Sequence, residues 1–145
     1  MPATTADWFY WALLSAVFAA LTAIFAKVGL DGVDSDYATL IRTVVILAVL
    51  AAVVGFGGKW QNPLMLRPKA VVFLVLSGLA TGASWFCYFR ALKKGQASQV
   101  APIDKLSLVL VALFAVVFLG ERPGLREWVG ILMVAAGVVV LAVKR

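Results

Sequence analysis

The chain has 145 residues, of which 63% are hydrophobic and 14% are charged, and its formal net charge is +6. Soluble domains are about half apolar and about a quarter charged, so this composition excludes an ordinary soluble domain and indicates a membrane protein. The lack of histidine and the single cysteine, Cys87, exclude an intrachain disulfide, a cysteine metal cluster and a histidine-based triad. The sequence therefore predicts no enzyme, no catalytic residues, no cofactor and no metal site.

Five apolar segments approach the roughly 20 residues that a helix needs to cross a hydrocarbon core. A transmembrane strand needs only about 10 residues of alternating polarity, and these segments are longer and do not alternate. The sequence therefore predicts an all-α membrane protein with five transmembrane helices in a single domain, residues 1–145. The predicted helices cover about residues 8–29, 37–56, 70–92, 98–119 and 125–143.

The first predicted helix follows the leader MPATTAD, which has no basic residue and contains Asp7. A secretory signal peptide has a basic leader and an apolar stretch of about 7 to 15 residues. We therefore expect a retained span in a multi-pass protein of the cell (inner or plasma) membrane, with no cleaved signal peptide. One face of this helix carries Ser15 and Thr22, and Trp8 and Trp11 either extend that face or anchor the helix at the interface.

Charged residues occur near one end of four predicted helices, and the five-helix topology brings these ends to one membrane face. Lys27 ends the first helix, Arg42 lies in the second and Arg90 ends the third. Asp104 and Lys105 lie in the fourth. Arg42 and Lys105 are about 10 to 12 Å inside their helices at 1.5 Å per residue, where charge is costly and is expected to face the interior of the bundle.

Adjacent helical residues point about 100° apart, so Asp104 and Lys105 are expected to find partners on other helices. The most economical pairing joins Asp104 to Arg42 or Lys27, and these four residues are candidates for a gate or polar lock. In the alternative interpretation, the charges only fix helix packing. Three further carboxylates could neutralise this layer of positive charge: Asp31, Asp34 and Asp36.

Hydroxyl side chains line one face of the third predicted helix, beside Trp85. They recur at i, i+4, i+7 and i+11, at Ser77, Thr81, Ser84 and Tyr88. Hydroxyls in lipid can bond carbonyls of their own helix, but an aromatic residue beside four hydroxyls is also typical of a pocket wall. We therefore predict a substrate pathway lined by these residues, by Ser15 and Thr22 of the first helix, and by Ser107 of the fourth.

Glycines are spaced for close helix contact on two helices. Gly78 and Gly82 form a GxxxG pattern on the third helix, whereas Gly130 and Gly137 lie seven residues apart on the apolar fifth helix. We interpret the four glycines as a packing or dimer seam.

The distribution of basic residues does not fix one orientation in the membrane. Five spans place the termini on opposite sides. The loops on the N-terminal side hold five basic residues, Lys59, Arg67, Lys69, Arg122 and Arg126. The clear loops of the other side hold four, and eight when the residues at span edges are included. This near-balance predicts dual topology and an antiparallel pair.

Several segments resemble the EamA domain of the drug/metabolite transporter superfamily. The longest is SWFCYFRALKKGQASQVAPIDKLSLVLVALFAVVFLGERP, from Ser84 to Pro123. Other matching pieces are FAALTAIFAKVGL in the first helix, IRT around Arg42 and SGLATGASW in the third helix. The resemblance covers nearly the whole chain, and it implies membrane transport of small organic solutes.

Members of this family commonly hold two such five-helix domains in inverted orientation around a central cavity, and this chain has one. The resemblance therefore implies a half-length type that needs a second copy, as an antiparallel homodimer or with a paralogous partner. The related four-helix multidrug exporters keep a glutamate in their first helix. Here no carboxylate lies between Asp7 and Asp31, so export of lipophilic cations by that mechanism is not expected.

Together these features predict a dimeric, exporter-type transporter of small organic metabolites that works by alternating access. The surplus of cations favours zwitterionic or anionic substrates, and Asp104 is the best placed carboxylate for proton coupling. The expected partners are the lipid bilayer, a small-molecule substrate and a second copy. Nucleic acid is not expected, because basic residues at helix ends more often face lipid headgroups. Two alternatives are a non-transporting assembly subunit and a translocator of lipid-linked or amphiphilic substrates.

Overall fold

The computed structural model describes the backbone of residues 5–143 and the side chains from Trp8 onward. This part of the chain is helical and contains no strand. A 3-10 turn, Pro63–Met65, precedes the third α-helix. A π-helical turn, Ala115–Leu119, directly follows the α-helix Ser107–Phe114. The helices are α1 (Thr5–Gly29), α2 (Ser35–Phe56), α3 (Pro68–Lys94), α4 (Ala97–Asp104), α5 (Ser107–Phe114) and α6 (Leu125–Ala142).

Five helical segments in the described residues are long and apolar enough to cross a membrane, which confirms the predicted all-α, five-span architecture. The fourth of them, Ala97–Leu119, consists of α4, α5 and the π-helical turn. Within the chain, at most 6% of the most apolar stretch of any span is buried. Because contiguous apolar surface of this extent is not left in water, these helices require a bilayer or further protein around them.

The chain divides into two compact units. One holds residues 5–24 and 95–143 of the described part, and the other is Phe25–Lys94. In the second unit α2 packs against α3, and Leu30, Phe89 and Leu92 are buried.

The N-terminal end of α2 is capped by Asp34. Its Oδ1 accepts hydrogen bonds from the backbone N–H groups of Asp36 and Tyr37, at 2.9 and 3.2 Å. A carboxylate at this position satisfies backbone donors that have no partner within the helix. Asp34 is therefore the cap at the start of the second span.

In the first unit, α4 and α5 both pack against α6. The fourth span is interrupted between α4 and α5, at Lys105 and Leu106. Pro102 lies inside α4 and has no backbone N–H to donate. Just after it, the N–H groups of Lys105 and Leu106 donate to the carbonyls of Pro102 and Ile103, both at 3.0 Å. These bonds reach back three residues instead of four, so the chain tightens here and leaves the regular α-helix.

The fourth span ends at Gly120, whose φ of 69° lies in the left-handed region. A residue without Cβ adopts this conformation at low cost. The N–H of Gly120 donates to the carbonyl of Ala115, five residues back, and closes the π-helical turn, and the N–H of Glu121 donates to the same carbonyl at 3.1 Å. The connection from Gly120 to Gly124 then leads into α6.

Candidate functional site

Arg42 of α2 lies over the aromatic side chains of α3. Its Cζ atom is 2.9 Å from the centroid of the Trp85 ring and 5.5 Å from that of Phe89. A guanidinium over an aromatic face is attracted by the ring quadrupole, most strongly for tryptophan. The structure therefore brings together a predicted gate residue and a predicted pathway residue.

The Trp85 ring is held by neighbours on its own helix. Its centroid is 6.3 Å from that of Tyr88, in an edge arrangement, and 6.0 Å from that of Phe89. Residues three and four positions apart lie on the same helix face, so the three rings form one patch. Phe89 is only 3% exposed and fixes the patch against the body of the unit.

The hydroxyl stripe of α3 is only partly available to a ligand. The Oγ1 of Thr81 donates to the carbonyl of Ser77 at 2.8 Å, one turn earlier on the same helix. Threonines of α2 do the same, with Thr39 and Thr43 donating at 2.7 and 2.8 Å to carbonyls four residues back. This is the alternative role that lipid imposes on hydroxyls. A ligand beside Thr81 would therefore find an acceptor there and no free O–H.

Arg90 is paired with Asp36 in a two-pronged ion pair. Its Nε donates to Oδ1 at 3.1 Å, and its Nη2 donates to Oδ2 at 2.8 Å. The guanidinium also lies over Phe86, with Cζ 3.9 Å from the ring centroid. Bidentate contacts of this kind fix orientation as well as distance. Asp36 thus neutralises one cation of the predicted layer, as the sequence allowed.

Two lysines bind backbone carbonyls near the C-terminal end of α3. The Nζ of Lys27 donates to the carbonyl of Leu92 and the Nζ of Lys93 donates to that of Val33, both at 2.6 Å. The last carbonyls of a helix lack partners within it and attract cations. Lys27, a predicted gate residue, therefore ties the end of α1 to the end of α3.

Arg42 differs from these cations, because within residues 25–94 it contacts aromatic rings and has no carboxylate partner. The four-residue separation of Trp85 and Phe89 on α3 is the signal that these two rings share a helix face. No signal in the sequence identifies the α2 residue that lies over that face. The sequence likewise does not distinguish Asp36 from Asp31 and Asp34 as the partner of Arg90.

Asp104 forms its ion pair with the next residue, since the Nζ of Lys105 is 3.4 Å from its Oδ2. The expectation that these two side chains find partners only on other helices is therefore wrong. The 100° separation applies to Cα–Cβ directions in a regular helix. However, α4 ends at Asp104, and the four-carbon stem of lysine reaches across the turn. The proposed pairing of Asp104 with Arg42 or Lys27 stays a prediction.

The remaining predicted residues stay predictions. Ser15 and Thr22 lie on α1 and Ser107 begins α5, all in the unit of residues 5–24 and 95–143. A Cβ added to any of the four seam glycines would meet no atom within 4 Å outside its own helix backbone. Within each unit these glycines therefore show no close helix contact, and the packing or dimer seam of Gly78, Gly82, Gly130 and Gly137 stays a prediction.

The chain is similar in sequence to a family of known proteins. The chain matches the EamA-like transporter family over residues 7–143. An "Uncharacterized transporter in cobO 3'region" of Sinorhizobium sp is 61% identical over 137 residues, which cover 94% of this chain and 97% of the relative. The uncharacterized transporter YxxF of Bacillus subtilis is 26% identical over 143 residues, which cover 93% of this chain but 42% of the relative.

A third relative is named a probable 4-amino-4-deoxy-L-arabinose-phosphoundecaprenol flippase subunit, ArnE, of Yersinia pestis. It is 26% identical over 84 residues, which cover 57% of this chain and 74% of the relative. No solved structure matches the chain. The five candidate spans and the transporter family together indicate a multi-pass membrane protein. The matched domain covers nearly all of the 145 residues, and the chain therefore belongs to the EamA-like transporter family as a single-domain, half-length member of the drug/metabolite transporter superfamily.

Proposed function

We propose that two antiparallel copies of this chain form a transporter, equivalent to a ten-helix protein, that exports small organic metabolites by alternating access. The observation that carries the proposal is the position of Arg42 over Trp85, within two candidate membrane spans. The substrate we infer is anionic or zwitterionic and is bound through a carboxylate or phosphate group.

The depth of Arg42 supports this substrate class. Arg42 lies seven residues after Ser35, the first residue of α2, which is about 10 Å along the helix axis. A charge at such depth is costly unless it faces a partner or a polar cavity. In the unit of residues 25–94 its partners are the aromatic rings of Trp85 and Phe89, which cover the flat face of the guanidinium. The N–H donors at the guanidinium edge then need an acceptor, and a substrate carboxylate supplies one in bidentate geometry.

A second copy is needed because a single domain does not enclose a path for the substrate past the predicted pathway residues. The chain covers 42% of its Bacillus subtilis relative, which is the proportion expected if that relative holds two such domains. Inverted repeats that meet near the midplane are a general design of transporters, and the balanced basic residues of this chain favour insertion in both directions.

Within this dimer, each group of predicted residues has one role. The pathway residues are Ser15, Thr22, Ser77, Thr81, Ser84, Trp85, Tyr88 and Ser107. The gate or polar lock consists of Lys27, Arg42, Asp104 and Lys105. The seam consists of Gly78, Gly82, Gly130 and Gly137. Gate residues that form ion pairs only on one side of the membrane at a time would close one mouth while the other is open.

The test is uptake by purified protein in liposomes, with a panel of radiolabelled amino acids, organic acids and sugar phosphates. We expect accumulation of at least one anionic or zwitterionic compound. Arg42→Gln should reduce the initial rate at least about ten-fold, since a bidentate charged contact is lost. The matched control is Arg67→Gln, which removes an arginine from the connection before α3. Equal rates in Arg42→Gln and the unaltered protein would refute the substrate-binding role of Arg42.

A second candidate function is translocation of a lipid-linked substrate. It is favoured by the relative whose name describes a flippase subunit for a phosphoundecaprenol-linked amino sugar. The same liposomes, loaded with a fluorescent polyprenyl phosphate lipid, separate the two functions. Movement of the lipid between leaflets without metabolite uptake supports this candidate. Absence of both activities, together with a stable complex with another membrane protein, supports the assembly-subunit alternative.

A further inference from the structure

A cavity of about 670 Å³ lies between α5 and α6, within the unit of residues 5–24 and 95–143. Its volume falls in the range of about 300 to 1,000 Å³ that is typical of small-molecule sites. Its walls are apolar and include Leu108, Ala112 and Val134. One end of the cavity, beside the connection that leads into α6, is charged and is formed by Glu121, Arg122 and Glu127. The cavity is therefore amphiphilic along its length.

The apolar walls extend over most of one leaflet of a bilayer. The lining residues run from Leu108 to Ala115 on the fourth span and from Glu127 to Val134 on α6, about 11 Å on each side at about 1.5 Å per residue. Half of a hydrocarbon core of about 30 Å is about 15 Å. Gly130 adds room, because it has no side chain and a Cβ there would meet no atom within 4 Å. The cavity is therefore long enough to hold most of one acyl chain within a leaflet.

The charged end lies where a lipid headgroup would lie. Glu121 and Arg122 belong to the short connection between the fourth and fifth spans, and Glu127 is in the first turn of α6. The Oε2 of Glu127 accepts the backbone N–H of Gly124 at 2.6 Å, so this carboxylate is held by the helix start. In the described residues 95–143, no hydrogen bond or ion pair engages the side chains of Glu121 and Arg122. Both remain available to a ligand.

We propose that this cavity holds one acyl chain of a phospholipid whose headgroup carries a primary amine. The two carboxylates and one guanidinium give the mouth a net charge of about −1. An ethanolamine headgroup complements that arrangement, because its ammonium donates to Glu121 while its phosphate accepts from Arg122. A headgroup with only negative charge lacks the ammonium and is repelled by the second carboxylate. None of the residues proposed for the transport pathway takes part.

A second copy of the chain is the competing occupant, since Gly130 also belongs to the predicted dimer seam; with lipid in the cavity, the seam is formed by the other three glycines. The charges at the mouth decide in favour of lipid. A zwitterionic headgroup provides a cation and an anion at the same depth as Glu121 and Arg122, whereas an apolar helix face would leave both without a partner next to the membrane.

Native mass spectrometry of the purified full chain tests the headgroup preference. The probes are phosphatidylethanolamine and phosphatidylglycerol with identical palmitoyl chains. We expect the ethanolamine lipid to bind about ten-fold more tightly, the effect of one charge-assisted hydrogen bond. Glu121→Gln should abolish that preference. Asp31→Asn, which alters a carboxylate in the connection between α1 and α2, should preserve it. Equal binding of both lipids to the unaltered protein, or a preference that survives Glu121→Gln, would overturn the proposal.

A second pair of variants tests the apolar part of the cavity. Ala112→Trp fills it and should weaken binding of both lipids about ten-fold or more, since most of the chain contact is lost. Ala136→Trp adds the same side chain to α6 away from the cavity and should leave lipid binding unchanged. Circular dichroism shows whether each variant is folded. If Ala112→Trp does not fold, the isosteric Glu121→Gln still tests the proposal. If Ala112→Trp alters the oligomeric mass and leaves lipid retention intact, a protein and not a lipid covers this face, and the proposal is wrong.

Discussion

The guanidinium of Arg42 and the indole ring of Trp85 are in face contact, with Cζ 2.9 Å from the ring centroid. This contact joins α2 to α3 at a point where both helices belong to candidate membrane spans. An arginine on an aromatic surface keeps its full charge and directs its N–H donors sideways. The ring therefore covers one face of the guanidinium and leaves its N–H edge for hydrogen bonding.

The first prediction concerns the shape of that aromatic surface. Trp85→Ala should reduce metabolite uptake at least about ten-fold, since Arg42 loses a contact worth up to about 2 kcal/mol when desolvated. Trp85→Phe keeps a smaller ring and should retain part of the activity. Initial uptake rates in liposomes measure both effects. Trp60→Ala, in the connection before α3, is the matched control. Full activity in Trp85→Ala, with the dimer intact, would remove Trp85 from the pathway.

The second prediction concerns the ion pair between Asp36 and Arg90. Reversing either charge alone, as Asp36→Arg or Arg90→Asp, should destabilise the protein, because two like charges would then meet at the pairing distance of 2.8 Å. Reversing both charges together should restore most of the lost stability. Thermal unfolding in detergent gives the three comparisons. A double variant no more stable than the single ones would mean that the pair does not join α2 to α3.

The third prediction concerns Asp104, whose carboxylate is paired with Lys105. If Asp104 carries the coupled proton, Asp104→Asn should abolish the stimulation of uptake by an imposed pH gradient and leave exchange of substrate at equal pH in place. The two rates are measured in the same liposomes. Asp31→Asn removes a carboxylate from the connection after α1 and should behave as the unaltered protein. Undiminished stimulation in Asp104→Asn would assign the proton to another group.

The fourth prediction concerns orientation. Reporters fused to the C-terminus, one active only in the cytoplasm and one only outside it, should both give signal, since the basic residues are nearly balanced between the two sides. Adding three lysines beside Asn62, in the connection before α3, should shift the population strongly toward one orientation and reduce transport. Signal from a single reporter in the unaltered protein would refute dual topology.

The five spans could be predicted because long apolar runs have few alternatives in a membrane. From Tyr37 to Phe56 the only charged residue is Arg42, and the helix begins where Asp34 provides a cap. The interruption at Lys105 and Leu106 was harder to see. A proline such as Pro102 indicates a bend, because it has no backbone N–H, but a break three residues later depends on how the chain redistributes its backbone hydrogen bonds.

The polar site could be predicted only as a set of residues. The sequence identifies Arg42 as a charge too deep for a loop and Trp85 as an aromatic residue beside hydroxyls. Their contact depends on which faces of α2 and α3 meet, and helix packing angles are not encoded by spacing along a single helix. For the same reason, the partner of Arg90 was not identified among the three nearby carboxylates.

The fourth span consists of the two helices α4 and α5 and a π-helical turn. At Lys105 and Leu106 the backbone bonds reach back three residues, so this joint lacks the regular ladder that stiffens the rest of the span. Bending there breaks fewer bonds than bending anywhere inside α4 or α5. If the proposed gate at Asp104 and Lys105 moves, this joint is where the fourth span can bend while Ala97–Asp104 stays packed against α6.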